Sequence, residues 1–189
     1  MSLDKCNDWF NFQEFYSSIA KNPDFFRYVE VGVWKGKSVA FLADAVRDKV
    51  GTEIFAVDLW EDTYKWGNTD QDKNPEALLE VPTVKKDYED HLEATNTRHL
   101  ITDIKQVSWI AASLFDDESL DVVFIDADHT YETVKMDITN WGKKVRVGGL
   151  LCGHDCRPNS DVEKAVKEYA KFYNVPVEIY SNSVWVIRK

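Results

Sequence analysis

The sequence predicts an α/β protein built on a doubly wound, mostly parallel seven-stranded sheet, with helices on both faces and a C-terminal antiparallel hairpin. Three observations predict it. Short apolar runs alternate with amphipathic segments along most of the chain, the pattern of strand–helix–strand units. One run, Leu120-Asp121-Val122-Val123-Phe124-Ile125, is almost continuously apolar, as a strand covered on both faces requires. The last two apolar runs are separated only by Ser181-Asn182-Ser183, a turn-forming triplet that joins antiparallel strands.

The elements follow in order. Asp8 to Ala20 carries Trp9, Phe12, Phe15, Tyr16 and Ile19 at helical spacing and predicts an amphipathic helix within an N-terminal portion, 1–22. Tyr28 to Val33 is a short strand that runs into Gly32-Val33-Trp34-Lys35-Gly36. A helix with Ser38, Phe41, Leu42, Ala45 and Val46 on one face comes next, then a strand over Ile54 to Val57 that ends at Asp58. The segment 59–82 is rich in Trp, Asp, Asn and Lys with weak periodicity. It predicts a long loop holding a short helix, and Trp60, Tyr64 and Trp66 suit it to close over a substrate as a lid. Val84 to Ala94 is helical, His99 to Thr102 a strand, Ser108 to Phe115 a short helix and Leu120 to Ile125 the buried strand. Tyr131, Val134, Ile138 and Trp141 mark a helix over Thr130 to Trp141. Gly148-Gly149 turns into a strand over Leu150 to Cys152, and a helix spans Val162 to Phe172. Val177 to Tyr180 and Val184 to Ile187 are the hairpin strands, and the last runs antiparallel to its neighbours.

Composition bounds what this fold can do. With 189 residues, 44% hydrophobic and 30% charged, and with no repeat or Pro/Gly-rich linker, the chain reads as one domain, 1–189. A formal net charge of −10 repels phosphates, and no basic run offsets it, which excludes nucleic acid and anionic membranes and leaves a small-molecule partner. Lys143-Lys144 sits where it complements a helix end. No apolar stretch spans a bilayer and no leader pattern opens the chain, so a cytoplasmic protein is expected. Cys6, Cys152 and Cys156 form neither a disulfide framework nor a zinc set, which fits a reducing compartment. A homo-oligomer is compatible with this pattern, which fixes no subunit number.

In doubly wound sheets, ligands bind beyond the carboxyl ends of the strands. The polar residues expected there are Glu30, Asp58, Asp126 and the pair His154-Asp155. The glycine turn admits three ligands. A phosphate-cradling loop needs four residues between its glycines before Lys-Ser, and this chain has three between Gly32 and Gly36. A dinucleotide turn needs a second glycine where Trp34 stands. A cofactor without phosphates needs only a close turn and an acid ending the second strand for two ribose hydroxyls. Gly32, Gly36 and Asp58 supply these, which favours S-adenosylmethionine.

The run Glu30-Val-Gly-Val-Trp-Lys-Gly-Lys-Ser38 resembles the first cofactor motif of the catechol O-methyltransferase-like group. Ser119-Leu-Asp-Val-Val-Phe-Ile-Asp-Ala-Asp-His-Thr-Tyr131 and Gly148-Gly-Leu-Leu-Cys-Gly-His-Asp155 look like the bacterial small-molecule O-methyltransferases of the macrocin and caffeoyl-coenzyme A type. Cephalosporin hydroxylase-like proteins share these motifs. The resemblance covers roughly Tyr28 to Tyr169 and implies a Rossmann-like methyltransferase fold. It further implies that Gly32 and Gly36 line the methionine part of the cofactor, Ser38 holds its carboxylate, Asp58 takes the ribose and Ser108 lies by the adenine. Asp126 then lies under the methionine amine and also reaches a metal. Glu30, Trp34, Leu59 and Trp109 complete the cofactor set. Two departures stand out: Trp34 fills a position that varies widely, and His154 stands where catechol-type enzymes carry an acid.

Methyl transfer to oxygen needs an aligned acceptor that is deprotonated or nearly so, and a divalent cation does both. Asp126, His154 and Asp155 are the candidate ligands. Oxygen donors suit magnesium, and an imidazole tilts the set toward manganese or iron. Asp126 is itself a candidate for the chemistry, with Asp128 and His129 as candidate bases. Asp128 is also placed to cap the following helix, and His129 to be a solvated loop residue. Asp126-Ala127-Asp128 matches the acidic motif of nucleotide-sugar glycosyltransferases too, but that reading leaves Gly32 to Ser38 unexplained. An iron-dependent hydroxylase and a non-catalytic cofactor-binding protein remain open on the same fold.

Overall fold

The computed structural model describes residues 9–60, 80–180 and 183–189. In chain order the elements are α1 (Gln13–Ala20), β1 (Arg27–Val31), α2 (Lys37–Ala45), β2 (Glu53–Asp58), α3 (Val84–Ala94), β3 (Ile101–Lys105), α4 (Ser108–Ala111), β4 (Leu120–Ile125), α5 (Tyr131–Lys144), β5 (Val145–Gly153), α6 (Asp161–Tyr173), β6 (Glu178–Ile179) and β7 (Trp185–Arg188). The seven strands form one sheet in the order β3-β2-β1-β4-β5-β7-β6. β1 pairs in parallel with β2 and β4, as do β2 with β3 and β4 with β5, whereas β7 runs antiparallel to both β5 and β6. The chain winds outward from β1 to β3 and then returns to build from β4 in the other direction. The winding therefore reverses between β1 and β4.

β4 shows why the sheet is covered on both sides. Val122 and Phe124 face a core built with α1, α2 and α3, while Val123 and Ile125 face a second core built with α5 and α6. All six β4 residues are buried, as the continuous apolar run requires. Among the described residues, no helix is long and apolar enough to cross a membrane.

Several boundaries differ from expectation, each for a local reason. α1 starts at Gln13, not Asp8; Phe10 and Phe12 are buried instead by ring contacts with Phe41 (5.3 Å) and Phe124 (4.8 Å). β1 ends at Val31 because Gly32 takes a φ of +83°. β3 begins at Ile101, after a 3-10 turn over Arg98–Leu100. α5 runs on to Lys144 and places Lys143 and Lys144 in its last turn. β5 starts at Val145, and Gly148-Gly149 lies inside it: the register slips between Leu120↔Val145 and Val122↔Leu150, with Gly148 at φ +81°. In segment 59–82, residues 61–79 lie outside the described residues, and the expected short helix, Tyr64 and Trp66 lie there with them. α3 occupies the expected residues and is entered through a 3-10 turn over Val81–Thr83.

At the amino end of the sheet, a buried carboxylate ties three strands together. Asp121 Oδ2 accepts the backbone N–H groups of Phe26 (2.6 Å) and Arg27 (2.7 Å), and its Oδ1 accepts Arg146 Nε–H (2.5 Å). Asp121→Ala should leave these donors without a buried partner and lower unfolding stability by about 3 kcal/mol. Asp121→Asn should lose less. Urea titration measures both, and a loss below about 1 kcal/mol for the alanine variant would show the clamp to be dispensable.

Candidate cofactor and metal site

The carboxyl edge of the sheet gathers the expected polar residues. Glu30 near the end of β1 is 3% exposed. Its Oε2 accepts the Tyr16 hydroxyl at 2.9 Å and its Oε1 accepts the Ser38 hydroxyl. Burial pushes the Glu30 carboxyl up to about 8, against the opposing pull of these hydrogen bonds. Two residues on, Gly32 brings the chain so close to the exit of β4 that a Cβ there would overlap the Asp126 carbonyl. Gly36, at φ +74°, starts α2, and a Cβ on it would enter the Tyr88 ring. Gly36 therefore lets the start of α2 pack closely on α3, while Gly32 serves an approach of backbone to backbone.

Trp34 adopts a left-handed φ of +50°, and its N–H donates to Asp58 Oδ2 at 2.9 Å. The N–H of Trp60 donates to Asp58 Oδ1 at 2.7 Å. Asp58 is raised by burial and held back by these backbone bonds. Of the three rings named for a lid, Trp60 is the one among the described residues, and it packs on the domain. This ring is 1% exposed, lies 5.1 Å from Tyr88, sits under Lys85 Nζ and donates its indole N–H to the Trp34 carbonyl at 3.2 Å. Leu59 is half-buried between Asp58 and Trp60. Beyond β3, Ser108 opens α4 with Trp109 half-buried beside it, and Ser108 Oγ accepts the Trp141 indole N–H at 2.9 Å.

The acids and histidines converge at the ends of β4 and β5, which are neighbours in the sheet. Asp126, His154 and Asp155 each offer a ligand atom, all within 4.8 Å of one another. His154 Nδ1 lies 3.7 Å from both Asp126 Oδ2 and Asp155 Oδ2. Its other nitrogen is buried and has no hydrogen-bond partner among the described residues. His129 Nε2 lies 3.3 Å from Asp126 Oδ1 and from Asp155 Oδ2, so His129 belongs to the cluster rather than to a solvated loop. Arg157 pairs with Asp155 Oδ1 at 2.7 Å. Asp128 braces the turn before α5: its Oδ1 accepts the Thr130 N–H (2.7 Å) and the Thr133 hydroxyl (2.8 Å), while Thr130 is the N-cap residue and makes no side-chain cap bond.

Sequence reasoning missed Tyr16, Tyr88 and Asp137. Tyr16 and Tyr88 sit at core spacing on their helices, and nothing in the sequence distinguishes a buried ring from one whose hydroxyl reaches a carboxylate. Asp137 did carry a signal, since it interrupts the apolar stripe of Val134, Ile138 and Trp141. It is 2% exposed, one of its carboxylate oxygens has no hydrogen-bond partner among the described residues, and burial pushes it up to about 7.

Two outcomes are expected. Gly32→Ala should destabilise the protein well beyond Gly51→Ala, because both glycines have φ above +80° but only Gly32 meets backbone. The open site should cost about 1–2 kcal/mol in chemical denaturation, and equal losses would deny the close approach. Glu30 binds a proton more tightly in the folded chain than in the unfolded one. Its contribution is therefore full below about pH 4.5 and is lost as pH rises toward 8. Asp137 and Asp58 act in the same sense. Unfolding stability should fall from pH 5 to pH 8, and Glu30→Gln should flatten that slope; a variant with the parent's slope would remove Glu30 as a cause.

Comparison with known proteins agrees with this geometry. A family model described as a methyltransferase domain matches residues 29–156. No curated protein matches the chain by sequence. Among solved structures, the O-methyltransferase NovP superposes with a TM-score of 0.70 at 18% identity, covering 94% of this chain and 78% of NovP. An O-methyltransferase from Bacillus cereus in complex with SAH gives 0.64 at 13% identity, covering 94% and 80%. TomG, an O-methyltransferase from Streptomyces achromogenes involved in tomaymycin synthesis and solved with SAM, gives 0.62 at 12% identity, covering 94% and 79%. The family match spans more than half of the sequence, and the chain belongs to the methyltransferase domain family, on the fold of the O-methyltransferases.

Proposed function

We propose that this protein transfers the methyl group of S-adenosylmethionine to a hydroxyl of a small molecule, with a divalent cation held by Asp126, His154 and Asp155. The observation that carries this reading is a juxtaposition. The cluster of Asp126, His154 and Asp155 lies directly against the glycine turn, because Gly32 abuts the Asp126 carbonyl. The donor set fits a cation. Two half-buried carboxylates and a buried imidazole nitrogen converge at one corner, where the neighbouring like charges favour a cation between them. The imidazole favours manganese or iron over magnesium in that set. When bound, the cofactor supplies an electrophilic methyl group and the cation lowers the pKa of the acceptor hydroxyl and fixes its position.

The chain's own residues divide the remaining work. Asp58, the acid that ends β2 and is fixed by the Trp34 and Trp60 amides, accepts the ribose hydroxyls. The Ser38 hydroxyl is committed to Glu30, so the first-turn amides of α2 around Ser38, which lack intrahelical acceptors, receive the methionine carboxylate. Gly32, Trp34, Gly36 and Leu59 shape the floor, and Ser108 and Trp109 flank the adenine. Asp126 faces the methionine amine. Asp128 and His129 are the groups beside this corner able to take the acceptor's proton. The net charge of −10 favours a small-molecule acceptor over nucleic acid or an anionic membrane.

Calorimetry with S-adenosylmethionine and S-adenosylhomocysteine should give saturable binding. Turnover on a panel of phenols, sugars and polyketides should require manganese or magnesium. Asp155→Ala should lower that turnover by roughly a hundredfold. Absence of binding to either cofactor form would sink the reading as a whole. Turnover that survives chelation and Asp155→Ala would leave methyl transfer and remove the cation. A second reading, an iron-dependent hydroxylase, is favoured by the two imidazoles, His129 and His154, at this corner. Iron in the purified protein, with oxygen consumption, would select it.

A further inference from the structure

We propose that the N-terminal segment supplies two positioning residues for this site, Phe12 for the metal ligand His154 and Tyr16 for the cofactor turn. The inference rests on the metal and cofactor reading above and assigns new residues to it.

The segment is bound to the site at three points. Trp9 lies 5.8 Å from Trp34, Phe12 lies 4.8 Å from the His154 ring, and the Tyr16 hydroxyl reaches Glu30 at 2.9 Å. Trp34 follows β1 and His154 follows β5, with β4 between those strands in the sheet. The segment therefore runs from one flank of Asp126 to the other. It also lies on the matching face: Tyr28 and Phe124 pack into the α1 core, and so does Cys152. Strand alternation sends Glu30, Asp126 and His154, two residues further along, toward that same side.

Phe12 explains why an imidazole can stand at position 154. The ring of Phe12 is 2% exposed and is itself locked by Phe10, Tyr16 and Phe124. His154 is 5% exposed, and its far nitrogen has no hydrogen-bond partner among the described residues. Ligating histidines are commonly oriented by a hydrogen bond to that second nitrogen. Here the aromatic contact takes over the task, and it holds Nδ1 toward Asp126 and Asp155. A carboxylate at this place would press its charge against an apolar ring. Tyr16 acts on the other half of the site. Its hydroxyl and that of Ser38 hold the two oxygens of Glu30, and Ser38 lies in the first turn of α2.

The two roles are separable. Phe12→Leu keeps an apolar core side chain and loses the ring, while Tyr16→Phe keeps the ring and loses the hydroxyl. Binding of manganese alone is read by electron paramagnetic resonance, and binding of S-adenosylhomocysteine alone by calorimetry. Each variant is first checked for a cooperative thermal transition. Phe12→Leu should weaken manganese roughly tenfold and leave S-adenosylhomocysteine within about twofold. Tyr16→Phe should weaken S-adenosylhomocysteine roughly fivefold and leave manganese unchanged. A merely structural role would move both affinities together in both variants, and that result overturns the proposal, as does unchanged binding in either folded variant. If the parent protein binds neither probe, the metal and cofactor reading fails first. If it binds both and the crossed pattern is absent, only the assignment of Phe12 and Tyr16 fails.

Discussion

The backbone leaving β1 lies against the backbone leaving β4, and the site depends on that contact. The winding reverses between these neighbouring strands, which is where doubly wound sheets bind their ligands. Gly32 lets the first loop turn within touching distance of the Asp126 carbonyl, which no residue with a Cβ could do. That single approach brings the residues of the glycine turn and those of the acid cluster into one site. The backbone bonds from Trp34 and Trp60 to Asp58 extend the arrangement to β2, and the pairing of β4 with β5 extends it to His154 and Asp155.

What the sequence reveals follows from how local each cause is. β4 is legible to the residue because burial on both faces leaves no alternative to an apolar run of strand length. α3 is legible for the same kind of reason, since its periodicity is unbroken. The start of β5 is hidden because a bulge at Gly148 reads as a turn when the partner strand is unseen. The unwound stretch Trp9–Phe12 keeps a helix-like spacing of aromatic residues, yet its burial comes from Phe41 and Phe124, contacts made across the fold.

The site divides along the same line. Glycines, strand-end acids and the His-Asp pair are visible because their chemistry and spacing are encoded within a few residues. The sorting of Asp128 into the turn before α5 and of His129 into the acid cluster is not visible, because the two are adjacent in one loop and only the folded turn separates them. Trp60 looks like part of a lid because it follows Asp58 in a polar segment. Its burial comes from Tyr88 and Lys85, which the sequence places more than 20 residues away.

The acidic character of this edge has a consequence for the proposed chemistry. Glu30 and Asp58 at this edge, like Asp137 within α5, are pushed upward, chiefly by burial, on a chain whose net charge is already −10. Carboxyl groups held in this way disfavour ionisation in the protein alone, and positive ligands relieve the cost. In the proposed reaction S-adenosylmethionine would bring a sulfonium and an ammonium, and a cation would add further charge at Asp126, His154 and Asp155. Methyl transfer removes the sulfonium charge, so a product complex would lack one of the attractions open to a substrate complex. The same buried acids weaken the fold at neutral pH, and in the proposed reaction they would favour cofactor over product; the clamp at Asp121 stabilises the opposite end of the sheet without touching them.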